Sequence, residues 1–164
     1  MASIVGSGKV AIVILIAAIA ISKAGGKLPQ PPSKAAAAPA PCVGQEVKQF
    51  ALQHGIEPGV VAAVIKVESN WQPDAKGSAG ELGLMQLMAR TAKAMGVKDR
   101  LDPVDNVKGG IKFLAYCKEK TANAYLRCYN AGEKGIHLPA AKKYEQKVML
   151  TLQRSKGQKA SIRG

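Results

Sequence analysis

Aromatic side chains make up only 4% of the 164 residues, with a single tryptophan. Nucleic-acid surfaces that work by base stacking present several exposed rings, so that mode of binding is disfavoured. Histidine is scarcer still: His54 and His137 are the only two, far apart in the chain. The three cysteines show no C-x-x-C spacing, so neither a metal centre nor a Cys-His nucleophile pair has its residues. Acidic residues are few, 11 against 24 Lys and Arg, and the net charge is +13. Such an excess predicts a polyanionic neighbourhood, for which nucleic acid, anionic lipid and an acidic wall polymer all qualify. Sustained period-2 alternation is absent throughout, which argues against a sheet. What remains is ordinary for a folded protein. Hydrophobic residues at 47% and charged residues at 21% disfavour wholesale disorder, a collagen-like fibre and a multi-span membrane protein. The length fits one domain.

The one long apolar run lies at the start. Lys9 precedes twelve uncharged residues, 10–21, and Ser22-Lys23-Ala24 has a small-x-small spacing. Twelve residues suit the h-region of an export signal and fall short of the roughly 17 to 25 of a spanning helix. Counted from Ile4, with Lys9 snorkelling to the headgroups, the stretch is 18 residues long and reads as a retained single-span anchor. Either reading of residues 1–24 sends the rest of the chain across a cytoplasmic membrane. Residues 25–44 form a Pro/Ala-rich linker, with Pro29, Pro31, Pro32, Pro39 and Pro41 interleaved with Ala and Lys.

From Gln45 onward the pattern is helical. Val47, Phe50, Ala51 and His54 share a face of a helix over 46–54 that stops at Gly55. Pro58 opens a second helix to Glu68, apolar nearly all round and therefore buried. Residues 70–84, punctuated by Pro73, Gly77, Gly80 and Gly83, form a loop, and loops of this length in small domains usually carry function. A short helix is expected over 91–95. Residues 106–120 and 122–129 read as an antiparallel helical pair turning near Thr121, and Pro139 opens a final helix on which Tyr144, Val148 and Leu152 share a face. The globular domain is thus 45–150, and 151–164 is a basic tail.

Three segments stand in order within that domain: Glu68-Ser69-Asn70-Trp71-x-Pro73, Gly83-Leu84-Met85-Gln86 and Tyr129-Asn130-Ala131-Gly132. Together they resemble the soluble lytic transglycosylase family of the lysozyme-like superfamily, and the resemblance extends to Asn106, Tyr144 and Lys147-Val148. Two departures stand out: Leu82, where the family usually has a small residue, and Ala89, where it commonly has proline. The fold class implied is mainly α, a lysozyme-like helical domain behind a single N-terminal signal or anchor helix. The activity implied is cleavage of peptidoglycan between N-acetylmuramic acid and N-acetylglucosamine. Glu68 would protonate the leaving oxygen, then act as base while the sugar's own 6-hydroxyl closes a 1,6-anhydro ring. No cofactor is implied, and no specific nucleic acid.

Glu68 earns part of that role from its position alone. A carboxyl at the C-terminal end of an apolar helix is disfavoured as an anion by desolvation and by the helix dipole, so its pKa is expected to rise. A carboxylic acid still protonated near neutral pH is what cleaving a glycosidic bond needs. Ordinary glycosidases pair two carboxylates; the nearby candidates, Asp74 and Glu81, lie in the loop, and neither falls at a family catalytic position. By resemblance Ser69 orients Glu68 or the substrate, its other reading being a helix cap. Met85 lines the cleft and Gln86 hydrogen-bonds saccharide. The Tyr129 hydroxyl lies near Glu68, Asn130 holds the loop, and Tyr144 closes the cleft from the opposite side.

Cys117 and Cys128 fall at nearly mirrored distances from the Thr121 turn, so in an oxidising compartment they are candidates for a disulfide, the other reading being two small core thiols. The partners expected are peptidoglycan strands, a membrane if the N-terminal segment is uncleaved, and a larger secretion, conjugation or phage entry apparatus. The location expected is the periplasm, the wall-facing side of a membrane, or a virion. Two alternatives remain open: a hydrolytic lysozyme, distinguished by its product, and a non-catalytic wall-binding assembly protein.

Overall fold

The computed structural model describes residues 44–161. Six α-helices follow one another: α1 (Gln45–Gln53), α2 (Pro58–Ser69), α3 (Ala89–Ala94), α4 (Pro103–Thr121), α5 (Tyr125–Ala131) and α6 (Pro139–Ser161), with 3₁₀ turns at Ala122–Ala124 and Glu133–Gly135. Two isolated antiparallel bridges, Lys76 with Leu82 and Leu82 with Leu87, give the loop after α2 its only ladder contacts. The expected segments at 10–21, the linker and Cys42 lie outside the described residues. Among the described helices none is long and apolar enough to cross a membrane.

Each boundary has a local cause. Gly55, at φ +66°, ends α1, and the Ile56 N–H turns back to the Ala51 carbonyl at 2.9 Å. Pro58 occupies the first turn of α2, where its missing N–H costs nothing. Asn70, in the left-handed region at φ 51°, stops α2 one residue past Ser69. Asp102 caps α4 by accepting the Asp105 N–H at 2.8 Å. Helix α3 starts at Ala89, two residues before the sequence expectation, and the predicted 122–129 helix begins as a 3₁₀ turn before α5.

Helix α2 is the centre of the core: Val60, Val61, Ala63, Val64 and Ile65 are all buried. It packs against α6, while α4 and α5 pair antiparallel and α5 also meets α6. Ile111 and Leu114 of α4, Leu126 of α5 and Val148 of α6 complete the interior. Removing any of these large aliphatics would cost about 2–5 kcal/mol. Helix α6 runs on to Ser161, through the stretch read as a basic tail, and Leu152, only 5% exposed, packs in the core on the same face as Val148.

Candidate active site

Glu68 sits in the last turn of α2, where the helix leaves the core and gives way to the 70–88 loop. It lines a cleft of about 120 Å³ together with Glu81, Gln86, Leu87, Met88, Thr91, Phe113, Tyr129 and Asn130. Loop, α3, α4 and α5 therefore all contribute a wall. The Tyr144 hydroxyl of α6 donates to Glu68 Oε1 at 2.6 Å.

Burial pushes the Glu68 carboxyl above the usual carboxylate range. The Tyr144 hydrogen bond and the charge of Lys147 pull it back, and the negative charge of Glu81 raises it again; the net direction is up. Tyr129 and Tyr144 are both held well above the ordinary phenol value, first by burial and then by the charge of Glu68, so both hydroxyls act as donors. The site thus presents a protonatable acid, with Tyr144 placed to stabilise its anionic form after a proton has left.

The loop is held in place by residues that never reach the cleft. Asn106, fully buried on α4, accepts the Met85 N–H at 2.8 Å and donates to the carbonyls of Leu82 (2.9 Å) and Arg100 (2.8 Å). Gly83, at φ +80°, passes so close to Asn106 and the Arg100 carbonyl that a Cβ would lie 2.4 and 2.3 Å from them. Met85 is driven into the core, its sulfur 2.2 Å from where a Cβ on Gly110 would stand. The family departure at Leu82 falls at the centre of both bridges, where its backbone pairs with Leu87.

Four of the expected residues, Glu68, Gln86, Tyr129 and Asn130, do meet on one cleft, and Tyr144 reaches it through its hydrogen bond. Several expected details are corrected. Met85 is 0% exposed and offers its carbonyl, not its side chain, to the site. That carbonyl accepts the Tyr129 hydroxyl at 2.7 Å, so Tyr129 braces the loop and Tyr144 is the direct partner of Glu68. Asn130 is an exposed cleft wall, and the loop is held by Asn106 in its place. The Ser69 hydroxyl donates to the Ile65 carbonyl at 3.1 Å, turning back along its own helix and away from Glu68. Gln86, at φ +47°, donates from Nε2 to the Gly83 (2.8 Å) and Ala75 (3.1 Å) carbonyls, closing the loop on itself. Glu81, weighed with Asp74 as a second carboxylate and set aside because it falls at no family catalytic position, lines the same cleft as Glu68, whereas Asp74 does not. Among the described residues no three His, Cys, Asp or Glu side chains gather as a metal site.

The fold is a small helical domain with one half-buried acid at a helix end, a tyrosine on that acid and a braced loop over it. The chain belongs to the transglycosylase SLT domain family, whose model matches residues 45–150. It is 40% identical over 105 residues to a membrane-bound lytic murein transglycosylase F of Stutzerimonas stutzeri, covering 58% of this chain and 21% of that protein. A transglycosylase of Enterobacteria phage PRD1 is 36% identical over 100 residues, 59% of this chain and 38% of the phage protein. The chain therefore spans about a fifth to two fifths of the length of these relatives. In fold it is similar to an inactive variant of the lytic transglycosylase Slt of Pseudomonas aeruginosa (TM-score 0.60, 23% identity, 70% of this chain and 24% of that one). The soluble lytic transglycosylase Slt70 of Escherichia coli gives a TM-score of 0.58 at 22% identity, over 65% and 22% of the two chains.

Proposed function

We propose that this chain is a peptidoglycan lytic transglycosylase in which Glu68 is the sole general acid and base. The carrying observation is the Glu68 carboxyl itself, raised in pKa by burial, opening on a cleft and hydrogen-bonded by Tyr144. Protonated Glu68 gives its proton to the oxygen joining N-acetylmuramic acid to N-acetylglucosamine. The bond from that oxygen to the anomeric carbon breaks, its electron pair staying on the oxygen. The muramic 6-hydroxyl then bonds to the anomeric carbon and returns its proton to Glu68, leaving a 1,6-anhydro end with no water consumed. Gln86 and Asn130 supply polar contacts to the sugar, and the buried Tyr129 and Asn106 hold the loop that carries Gln86.

Mass spectrometry of the products from purified peptidoglycan tests the reading: anhydro ends are expected, reducing ends would identify a hydrolytic lysozyme, and intact strands a wall-binding protein. Glu68→Gln should leave the fold unchanged and reduce cleavage below about a hundredth of wild type, since general acid–base catalysis contributes at least that much. Export by residues 1–24, with or without retention in the membrane, delivers the domain to the wall; one relative is named membrane-bound and another comes from a phage. A domain this small fits local opening of the wall for a secretion, conjugation or phage entry apparatus.

A further inference from the structure

The cleft contains a second carboxylate for which single-acid chemistry has no use. Resting on the glycan-cleaving reading, we propose that Glu81 is a functional member of this site, its negative charge facing the sugar whose glycosidic oxygen Glu68 protonates and stabilising the positive charge that develops on the anomeric carbon as the glycosidic bond breaks.

The placement of Glu81 is built into the loop. Its Oε2 accepts the Ala79 N–H at 3.0 Å, and its carbonyl accepts the Gly77 N–H at 2.8 Å, so a tight 77–81 turn holds the residue from both ends. Gly77 has no side chain where the carboxylate rests: a Cβ there would lie 2.2 Å from Glu81 Oε2 and 2.9 Å from Gln86 Oε1. The carboxylate is therefore packed over a glycine and beside Gln86, on the same cleft as Glu68. Asp74, the other loop carboxylate, is exposed and does not line this cleft.

The charged and titratable groups around Glu68 come from three directions: Tyr144 and Lys147 from α6, Tyr129 from α5 and Glu81 from the loop. Glu81 is the one anion among them, and it acts on Glu68 in the direction that keeps the acid protonated. In the step itself Glu81 gains and loses no proton. Glu68 gives one to the leaving oxygen and recovers it from the 6-hydroxyl, while the charge of Glu81 offsets the transient positive charge between those two events.

The test compares Glu81→Gln with Asp74→Asn in the full-length chain. Glutamine keeps the acceptor for the Ala79 N–H and removes only the charge. Two readouts are taken: the titration of the Glu68 carboxyl carbon by ¹³C NMR, assigned with Glu68→Gln, and the pH profile of kcat and KM on purified peptidoglycan. Glu81→Gln is expected to lower the Glu68 titration midpoint, to move the alkaline limb of kcat to lower pH, and to reduce kcat by about tenfold or more with little change in KM. Asp74→Asn is expected to leave both readouts where they were. A Glu68 titration and kcat profile in Glu81→Gln that coincide with wild type overturn the inference. Absence of any cleavage by the wild-type chain would overturn the glycan-cleaving reading instead, and the NMR titration would still decide whether the two carboxyls are coupled.

Discussion

Burial raises the pKa of the Glu68 carboxyl most, Tyr144 and Lys147 lower it and Glu81 raises it again, and the tyrosine offers the sharpest experiment. The Tyr144 hydroxyl favours the charged form of Glu68, so Tyr144→Phe removes a lowering influence and leaves burial and Glu81 unopposed but for Lys147. The Glu68 pKa should rise further. Because the acid must be protonated to work, activity is lost as pH rises through that pKa, and the alkaline limb in Tyr144→Phe should move to higher pH. The maximal rate should fall, since Glu68 loses the donor that steadies its anion between the two proton transfers. A limb that stays in place would show that Tyr144 only packs. Roles at this scale were partly readable from sequence: an acid at the end of an apolar helix announces desolvation, and Glu68 behaves so. Met85 turns into the core and not to the cleft, and Ser69 takes its local helix-end alternative, because neighbouring letters on a loop or helix end point in different directions. Which of them faces a cleft depends on Gly110, far along the chain, leaving room for the Met85 sulfur.

Helices α4 and α5 are joined by a disulfide between Cys117 and Cys128, whose Cα atoms lie 5.6 Å apart. The bridge ties the element carrying Tyr129 and Asn130 to the one carrying Asn106, beside the packing of Phe113 against Tyr129, so it links the two elements that brace the 70–88 loop. Closing so short a loop stabilises by roughly 2–3 kcal/mol in the chain-entropy picture. Reduction should then lower the melting temperature by about 10 °C for a domain of this size. Non-reducing peptide mapping checks the pairing, and an unchanged melting curve after reduction would deny the bridge a stabilising role. A second expectation concerns α3. Ala89 is its first residue, exposed, and Met88 before it has φ −65° and ψ 149°, the extended conformation that proline demands of its predecessor. Ala89→Pro should therefore stabilise the domain by about 0.4–1 kcal/mol, measured by denaturant unfolding, through loss of freedom in the unfolded chain. A fall in stability would mean that the Ala89 N–H is needed.

Over the whole molecule the charge of +13 should govern how the chain meets the wall under the proposed function. Exposed cations of α6, among them Lys142, Lys143, Arg154 and Lys156, add to the lysines of the linker sequence. Turnover on intact sacculi should fall as salt rises, because screening weakens the attraction to an anionic wall, whereas turnover on short neutral glycan fragments should barely change. Equal salt sensitivity on both would remove charge from the account of association. The helical class, several helix starts and the position of the acid were determined by sequence alone, because they follow from local rules: a 3.6-residue apolar period, proline at 58 and 139, glycine after a helix end; α4 instead begins at Pro103, three residues before its expected start at Asn106. The cleft was decided by tertiary structure. Glu81 and Gln86 come to Glu68 only when Asn106, 20 residues further on, gathers the carbonyls of Leu82 and Arg100 and the Met85 N–H. Tyr144 reaches the same carboxyl only because α6 packs on α2 across the core. Such pairings join residues distant in the chain through packing, and local periodicity carries no record of which buried faces will meet.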